Sequence, residues 1–253
     1  MGKLEGYKCV ITGSTSGIGL GITKKFIEEG ATVIGVGRDF HRTGGLGEHY
    51  IPYKADLYDL DQLKTIFDFA AEKFDGVLDV LVNCAGRGTY GTIENFELPE
   101  WEENFHLIMR AYQFTTKYAL PLMKKSTCPS VPNIINIAST SGHVDDAMQW
   151  MYCLGKASVI KFTRLTAKQN HWLRANSISP GIIDTPIFQW CTPEVKEMFD
   201  YENHFAKFAE LYPCKRVGVP EDIANVALLF ASKEGEYING TDITIDGGLG
   251  SMF

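Results

Sequence analysis

The stretch TGSTSGIG, residues 12–19, directly follows the apolar run KCVIT and opens a helical pattern that runs from Ile18 to Glu29. Glycines at 13, 17 and 19 allow a tight turn at the end of a strand and a close backbone approach to a pyrophosphate. The free N–H groups and dipole of the following helix then favour the negative charge. Ser14, Ser16 and Ile18 share the turn with these glycines. A glycine-rich turn standing alone is weak evidence; its place between a first strand and a first helix predicts a dinucleotide-binding α/β sheet.

The rest of the chain keeps that rhythm. Short β-branched runs (TVIGV, HYIPYKAD, LDVLVN, NIINIA, RANSIS, DITID) alternate with helical patterns over Leu60–Lys73, Trp101–Lys125, Tyr152–Lys168 and Pro220–Ala231. Such alternation predicts a single Rossmann-type, doubly wound, seven-stranded parallel sheet with helices on both faces. One domain over 1–253 is the economical reading. Two places break the pattern. Between Arg38 and Asp56 the glycine-rich TGGLG leaves little room for a helix, so the second crossover is expected to be loop-like. Between Pro186 and Pro220 lie Phe188, Trp190, Met198, Phe199, Tyr201, Phe205, Phe208 and Tyr212, read either as helices packed on the core or as a substrate lid over about 186–219.

Composition narrows the function. A formal charge of −7 without long charged runs argues against a nucleic-acid or anionic-membrane partner. No apolar run reaches the roughly 18 residues of a membrane span, and the start MGKLEGYKCVITG enters a strand at once, so a cytoplasmic protein is expected. The six cysteines show no C-x-x-C pair and read as reduced, mostly packed thiols; the scattered histidines predict no metal site.

Cofactor choice is written after the second strand. Where NAD-binding sheets place a carboxylate for the ribose hydroxyls there is Gly37, followed by Arg38. A guanidinium there can clamp a 2′-phosphate, which makes NADP(H) the expected cofactor and NAD(H) the alternative. The bland reading is a surface arginine in a loop.

In YCLGK, residues 152–156, a phenol and an ammonium stand one helical turn apart. Alone this is as readily an exposed stripe as a catalytic pair.

Six motifs in one order settle the matter. The chain resembles the classical short-chain dehydrogenase/reductase family over essentially its whole length: T-G-x-x-x-G-x-G at Thr12–Gly19, Asp56-Leu57 after the third strand, NCAG at 83–86 for N-N-A-G, Ser139 after the fifth strand, Y-x-x-x-K at Tyr152 and Lys156, and SPGIIDT for P-G-x-x-x-T. The C-terminal RVGVPEDIA and IDGG also match. The resemblance implies Ser139, Tyr152 and Lys156 as catalytic residues. It implies cofactor contacts from the glycine turn, Gly37, Arg38, Asp56, Leu57, Asn83, Ala85, Gly86, Tyr152, Lys156, Pro180, Gly181, Ile183 and Thr185. Tyr152 is then the general acid in ketone reduction and the base in alcohol oxidation, its pKa brought down from about 10 by Lys156 and the oxidised nicotinamide. Ser139 would hold the substrate oxygen, and Lys156 the nicotinamide ribose. Family members commonly form homotetramers, with a homodimer as the alternative; the apolar ALPLM and the terminal GLGSMF are compatible with assembly or with internal packing.

One position departs. The family places an asparagine in the long fourth helix, where this chain, counted from Trp101, has Ile108, which can neither bind nor donate to a relay water. Asn104, one turn earlier, is the available substitute unless its side chain is simply exposed. Met148 and Trp150 before the catalytic tyrosine, with Phe188 and Trp190, suggest a sizeable apolar small-molecule substrate such as a hydroxysteroid. Arg87, with Asp145, Asp146 and Gln149, keeps polyols or sugars open. A 3-oxoacyl thioester reductase and a catalytically weak nucleotide-sensing or scaffold protein complete the alternatives.

Overall fold

In the computed structural model, which describes residues 2–187, 209–210 and 212–252, seven strands form one parallel sheet. They are β1 (Lys8–Thr12), β2 (Thr32–Gly37), β3 (Tyr50–Lys54), β4 (Val80–Asn83), β5 (Asn133–Ile137), β6 (Arg174–Pro180) and β7 (Asp242–Ile245), in the spatial order β3-β2-β1-β4-β5-β6-β7. The order reverses between β1 and β4, which opens the crevice where such sheets bind ligands. Helices α1 (Gly17–Glu28), α2 (Leu60–Lys73), α3 (Leu98–Asn104), α4 (Ala111–Met123), α5 (Trp150–Gln169) and α6 (Pro220–Ala231) complete the frame.

Strand side chains alternate between two cores. Cys9, Ile11, Val33 and Val82 face α1 and α6 through Ile22, Phe26, Ile223 and Phe230. Val10, Ile34, Val36 and Leu81 face α2 and α4 through Leu63, Ile66, Ala119 and Leu122. Local chemistry fixes the helix starts: Asp59 accepts from the amides of Asp61 and Gln62 at 2.9 and 3.4 Å, and Pro220 occupies the first turn of α6.

The crossover between β2 and β3 is free of helix, as the glycines at 44, 45 and 47 predict. The expected single helix over Trp101–Lys125 is broken. Residues Phe105–Arg110 form a π-helical stretch between α3 and α4, in which the Ala111 amide donates to the His106 carbonyl. Ile108, the position that departs from the family pattern, lies in this stretch and is fully buried. Wide turns of this kind concentrate at functional sites.

Candidate active site

The glycine turn has no room for side chains. Gly13 adopts φ +69°, and a Cβ there would lie 2.9 Å from Ala85 Cα; one on Gly19 would lie 2.1 Å from the Gly13 carbonyl oxygen. Ser16, the N-cap of α1, makes no side-chain cap, so the first amides of the helix remain available to an anion. A Cβ on Gly17 would be 3.1 Å from Thr185 Cγ2, so the turn and the Pro180–Thr185 segment meet across the crevice. A cradle that only glycine can line, beneath free helix amides, fits a dinucleotide pyrophosphate.

The remaining cofactor candidates divide by what their side chains do. The Ser14 hydroxyl is buried against the Tyr50 hydroxyl at 3.1 Å, which leaves only its backbone for a ligand. Asn83 is likewise engaged: its amide donates to Asn136 Oδ1 at 2.9 Å and accepts from Thr115 Oγ1 at 2.7 Å, binding β4 to β5 and α4. Asp56 accepts from the Tyr58 amide and lies after β3, with Leu57 buried beside it. Gly37 abuts Thr15, whose Cγ2 would lie 2.5 Å from an added Cβ. Arg38 is exposed and makes no ion pair among the described residues, while the neighbouring Asp39 carboxylate is taken up by His41 at 2.7 Å. Ile182 and Ile183 are held by the buried Tyr212, whose hydroxyl accepts from the Ile182 amide at 3.1 Å, and by the bridge from Ile183 to Gly218. Tyr212, counted with the lid aromatics in the sequence, is therefore core; Gly181 and Asp246 pack beside it.

Ser139, Tyr152 and Lys156 converge past the end of β5. Ser139 caps a short 3₁₀ turn, its Oγ accepting from the Ser141 amide at 3.1 Å. Lys156 is 3% exposed and donates to the Ile137 carbonyl at 2.8 Å; its Nζ lies 5.6 Å from the centroid of the Tyr152 ring and would be 3.5 Å from a Cβ on Gly86. Burial moves both groups against their charged forms. The phenol of Tyr152 is pushed up to about 12, the neighbouring Ser139 hydroxyl pulling the other way, and the Lys156 ammonium is brought down to about 8. The expected lowering of Tyr152 by Lys156 is thus absent in the protein alone. Its phenol stays protonated at neutral pH, the state a proton donor requires.

Asn104 is buried rather than exposed, and its Nδ2 donates to Thr89 Oγ1 at 2.7 Å, tying α3 to the loop after β4. Arg87, from the same loop, pairs with Glu103 at 2.7 Å, and Glu103 also accepts from the Tyr58 hydroxyl. A shallow, largely open cavity of about 390 Å³ lies beside α5, lined by Ile93, Phe96, Glu97, Leu98, Trp101 and Trp150, the Phe96 and Trp150 rings meeting edge to face at 5.2 Å. Of this apolar lining only Trp150 was legible as a candidate; the loop that supplies Ile93 and Phe96 has no periodicity to betray it. Met148 is exposed at the neighbouring turn, its carbonyl accepting from the Gly91 amide. Phe188 and Trp190, with most of the expected lid, lie outside the described residues. Cys9, Cys84, Cys128, Cys153 and Cys214 are free thiols, Cys214 exposed; Cys191 is outside the described residues.

A family profile described as enoyl-(acyl carrier protein) reductase matches residues 13–250. Among curated proteins, the 3-oxoacyl-[acyl-carrier-protein] reductase FabG of Thermotoga maritima is 32% identical, covering 98% of this chain and 99% of its own. The human (3R)-3-hydroxyacyl-CoA dehydrogenase is 27% identical over 98% of this chain and 97% of its own. Among solved structures, the ligand-free aldohexose dehydrogenase of Thermoplasma acidophilum superposes with a TM-score of 0.86 at 29% identity, covering 98% of this chain and 95% of that one.

Proposed function

Because this chain belongs to the short-chain dehydrogenase/reductase family and is an oxidoreductase of CH–OH groups, we propose that it interconverts a secondary alcohol and a ketone with NADP(H), on a substrate with a sizeable apolar body. The convergence of Ser139, Tyr152 and Lys156 beside the glycine cradle carries this reading.

When bound, the nicotinamide supplies or takes the hydride. The residues do the rest. Gly13, Gly17 and Gly19 let the α1 amides hold the pyrophosphate, and Pro180, Gly181, Ile183 and Thr185 close over the other side of the crevice. Ala85 packs against Gly13, and Gly86 brings the backbone close to Lys156, which holds the ribose in this reading. Asp56 and Leu57 line the adenine end. Arg38, without an ion pair among the described residues and beside a Gly37 that offers no carboxylate, favours a 2′-phosphate; NAD(H) is the alternative. In reduction, Ser139 holds the carbonyl oxygen and the Tyr152 phenol delivers its proton there. In oxidation the same phenol must accept one, and its raised pKa makes that direction depend on the positive charge of the oxidised cofactor.

The cavity at Ile93, Phe96, Leu98, Trp101 and Trp150 suits an apolar body such as a hydroxysteroid better than a polyol, since among the described residues Glu97 is the only charged group lining it. The acyl-thioester relatives favour a second reading, a 3-oxoacyl thioester whose chain occupies the same cavity. Arg87, engaged by Glu103, is the polar group that could meet either. A homotetramer, or a homodimer, is the proposed assembly. Leu154 and Leu165 on α5 are exposed for it, whereas Ala119, Leu122 and Met123 of ALPLM are internal core. A cytoplasmic location is proposed; among the described residues no helix is long and apolar enough to cross a membrane.

The test is a panel of ring ketones, 3-oxoacyl thioesters and sugars with NADPH or NADH, read by reduced-nicotinamide absorbance, with Trp150→Ala alongside. Turnover of apolar ketones, with the substrate KM raised by Trp150→Ala, is expected. Sugars as the best substrates would overturn the substrate reading.

A further inference from the structure

The carbonyl of Ile137, the last residue of β5, receives two buried donors: the Lys156 ammonium at 2.8 Å and the Tyr112 hydroxyl at 3.1 Å. Tyr112 reaches it from α4, one turn beyond Ile108, and is 2% exposed. The centroid of its ring is 5.7 Å from Lys156 Nζ, close to the 5.6 Å of Tyr152, so the ammonium lies within cation–π range of two rings. Ile108, Tyr112, Ala138, Val159 and Ile160 form one apolar cluster against Tyr152.

A cation stripped of water needs compensation from its surroundings. The titratable groups facing Lys156 are Tyr152 on its own helix, Tyr112 from α4 and Cys84 from the loop after β4; Cys84 and Tyr152 are both held neutral by burial at physiological pH. No carboxylate faces it among the described residues. What remains is a carbonyl and two ring faces, and Tyr112 supplies one ring and pins the carbonyl.

We propose that Tyr112 is a positioning residue for Lys156. Its hydroxyl fixes the carbonyl from which the ammonium hangs, and its ring face keeps that ammonium charged where Ile108, in the π-helical stretch packed against α5, offers no polar atom. The placement stands on its own geometry; its consequence for turnover rests on the oxidoreductase reading. The hydroxyl and the ring are separable, because phenylalanine keeps one and leucine neither.

The decisive measurement follows the ε-carbon of Lys156 by NMR in lysine-labelled protein, assigned with Lys156→Arg, across the alkaline range, and needs no substrate. In Tyr112→Leu the titration midpoint is expected to fall by about half a pH unit or more, as loss of a partly desolvated cation–π contact requires. Tyr112→Phe is expected to keep the midpoint near that of the parent. An unshifted midpoint in Tyr112→Leu reduces Tyr112 to packing and overturns the proposal. Should that variant not fold, pentafluorophenylalanine at 112 keeps the shape and reverses the ring's polarity; a parental midpoint there overturns it equally. With an active substrate, Tyr112→Phe should lower kcat about 5-fold or more while the cofactor KM stays within about 2-fold; unchanged kcat removes the role of the hydroxyl. A parent that turns over no ketone while Lys156 still responds to position 112 would count against the oxidoreductase reading alone.

Discussion

Gly155 faces Ile108 across the contact between α5 and the π-helical stretch so closely that a Cβ on Gly155 would lie 3.3 Å from Ile108 Cγ2 and 3.0 Å from Asn104 Oδ1. Ile108 therefore has its space because the residue before Lys156 has no side chain. The two positions form one packing unit, set next to the ammonium.

Gly155→Ala is expected to strain that unit although alanine favours helix, because the added methyl meets a buried amide oxygen and a fixed isoleucine. A net loss of about 1–2 kcal/mol, read from the denaturant midpoint, follows from overpacking. Ile108→Val in the same chain should recover part of it. Additive losses in the double variant would show that the two positions do not share the contact.

The Tyr152 hydroxyl is expected to carry the proton. Tyr152→Phe should bind NADPH as the parent does and turn over at least about 10²-fold more slowly. A variant keeping half the parental rate would remove the assignment.

Cofactor preference should rest on Arg38. Arg38→Leu is expected to weaken NADPH about 10-fold or more, with NADH little changed, and the difference should shrink in high salt. Gly37→Asp alone is expected to destabilise, since Thr15 occupies the space its Cβ needs; Thr15→Gly should restore room for a carboxylate that selects NADH. Equal parental affinity for both cofactors at moderate salt would refute this.

Stability should respond to pH through Lys156. Its pKa falls from 10.5 unfolded to about 8 folded, so below pH 8 the ammonium is charged in both states and its burial cost is fully present. Between about 8 and 10.5 the unfolded chain binds more protons, and that cost is relieved as pH rises. Lys156→Met is therefore expected to be more stable than the parent near pH 7, by up to about 3 kcal/mol, with the gap closing toward pH 10. Urea midpoints of the two proteins at pH 7 and pH 9.5 measure it; a constant gap would show that Lys156 does not titrate in this window.

The sequence by itself determined the sheet and its crossovers, and it supplied the candidates for the reactive groups. Alternating β-branched runs and glycines at 13, 17 and 19 are local signals, set by backbone sterics and by the period of side-chain burial. Ser139, Tyr152 and Lys156 became candidates through the ordered motifs that the chain shares with the family, since a tyrosine and a lysine one turn apart are by themselves as readily an exposed stripe. Tertiary structure decided what no local signal records. It placed Ser14 and Asn83 with their side chains in the core rather than toward a ligand, buried Asn104 against Thr89, and made Tyr212 a prop for Ile182 instead of part of a lid. It opened a π-helical stretch inside a helix whose periodicity looked unbroken, and it buried the Tyr152 phenol, which raises its pKa in the protein alone. Each outcome depends on desolvation and close packing between segments distant in the chain, and these arise only once the segments meet.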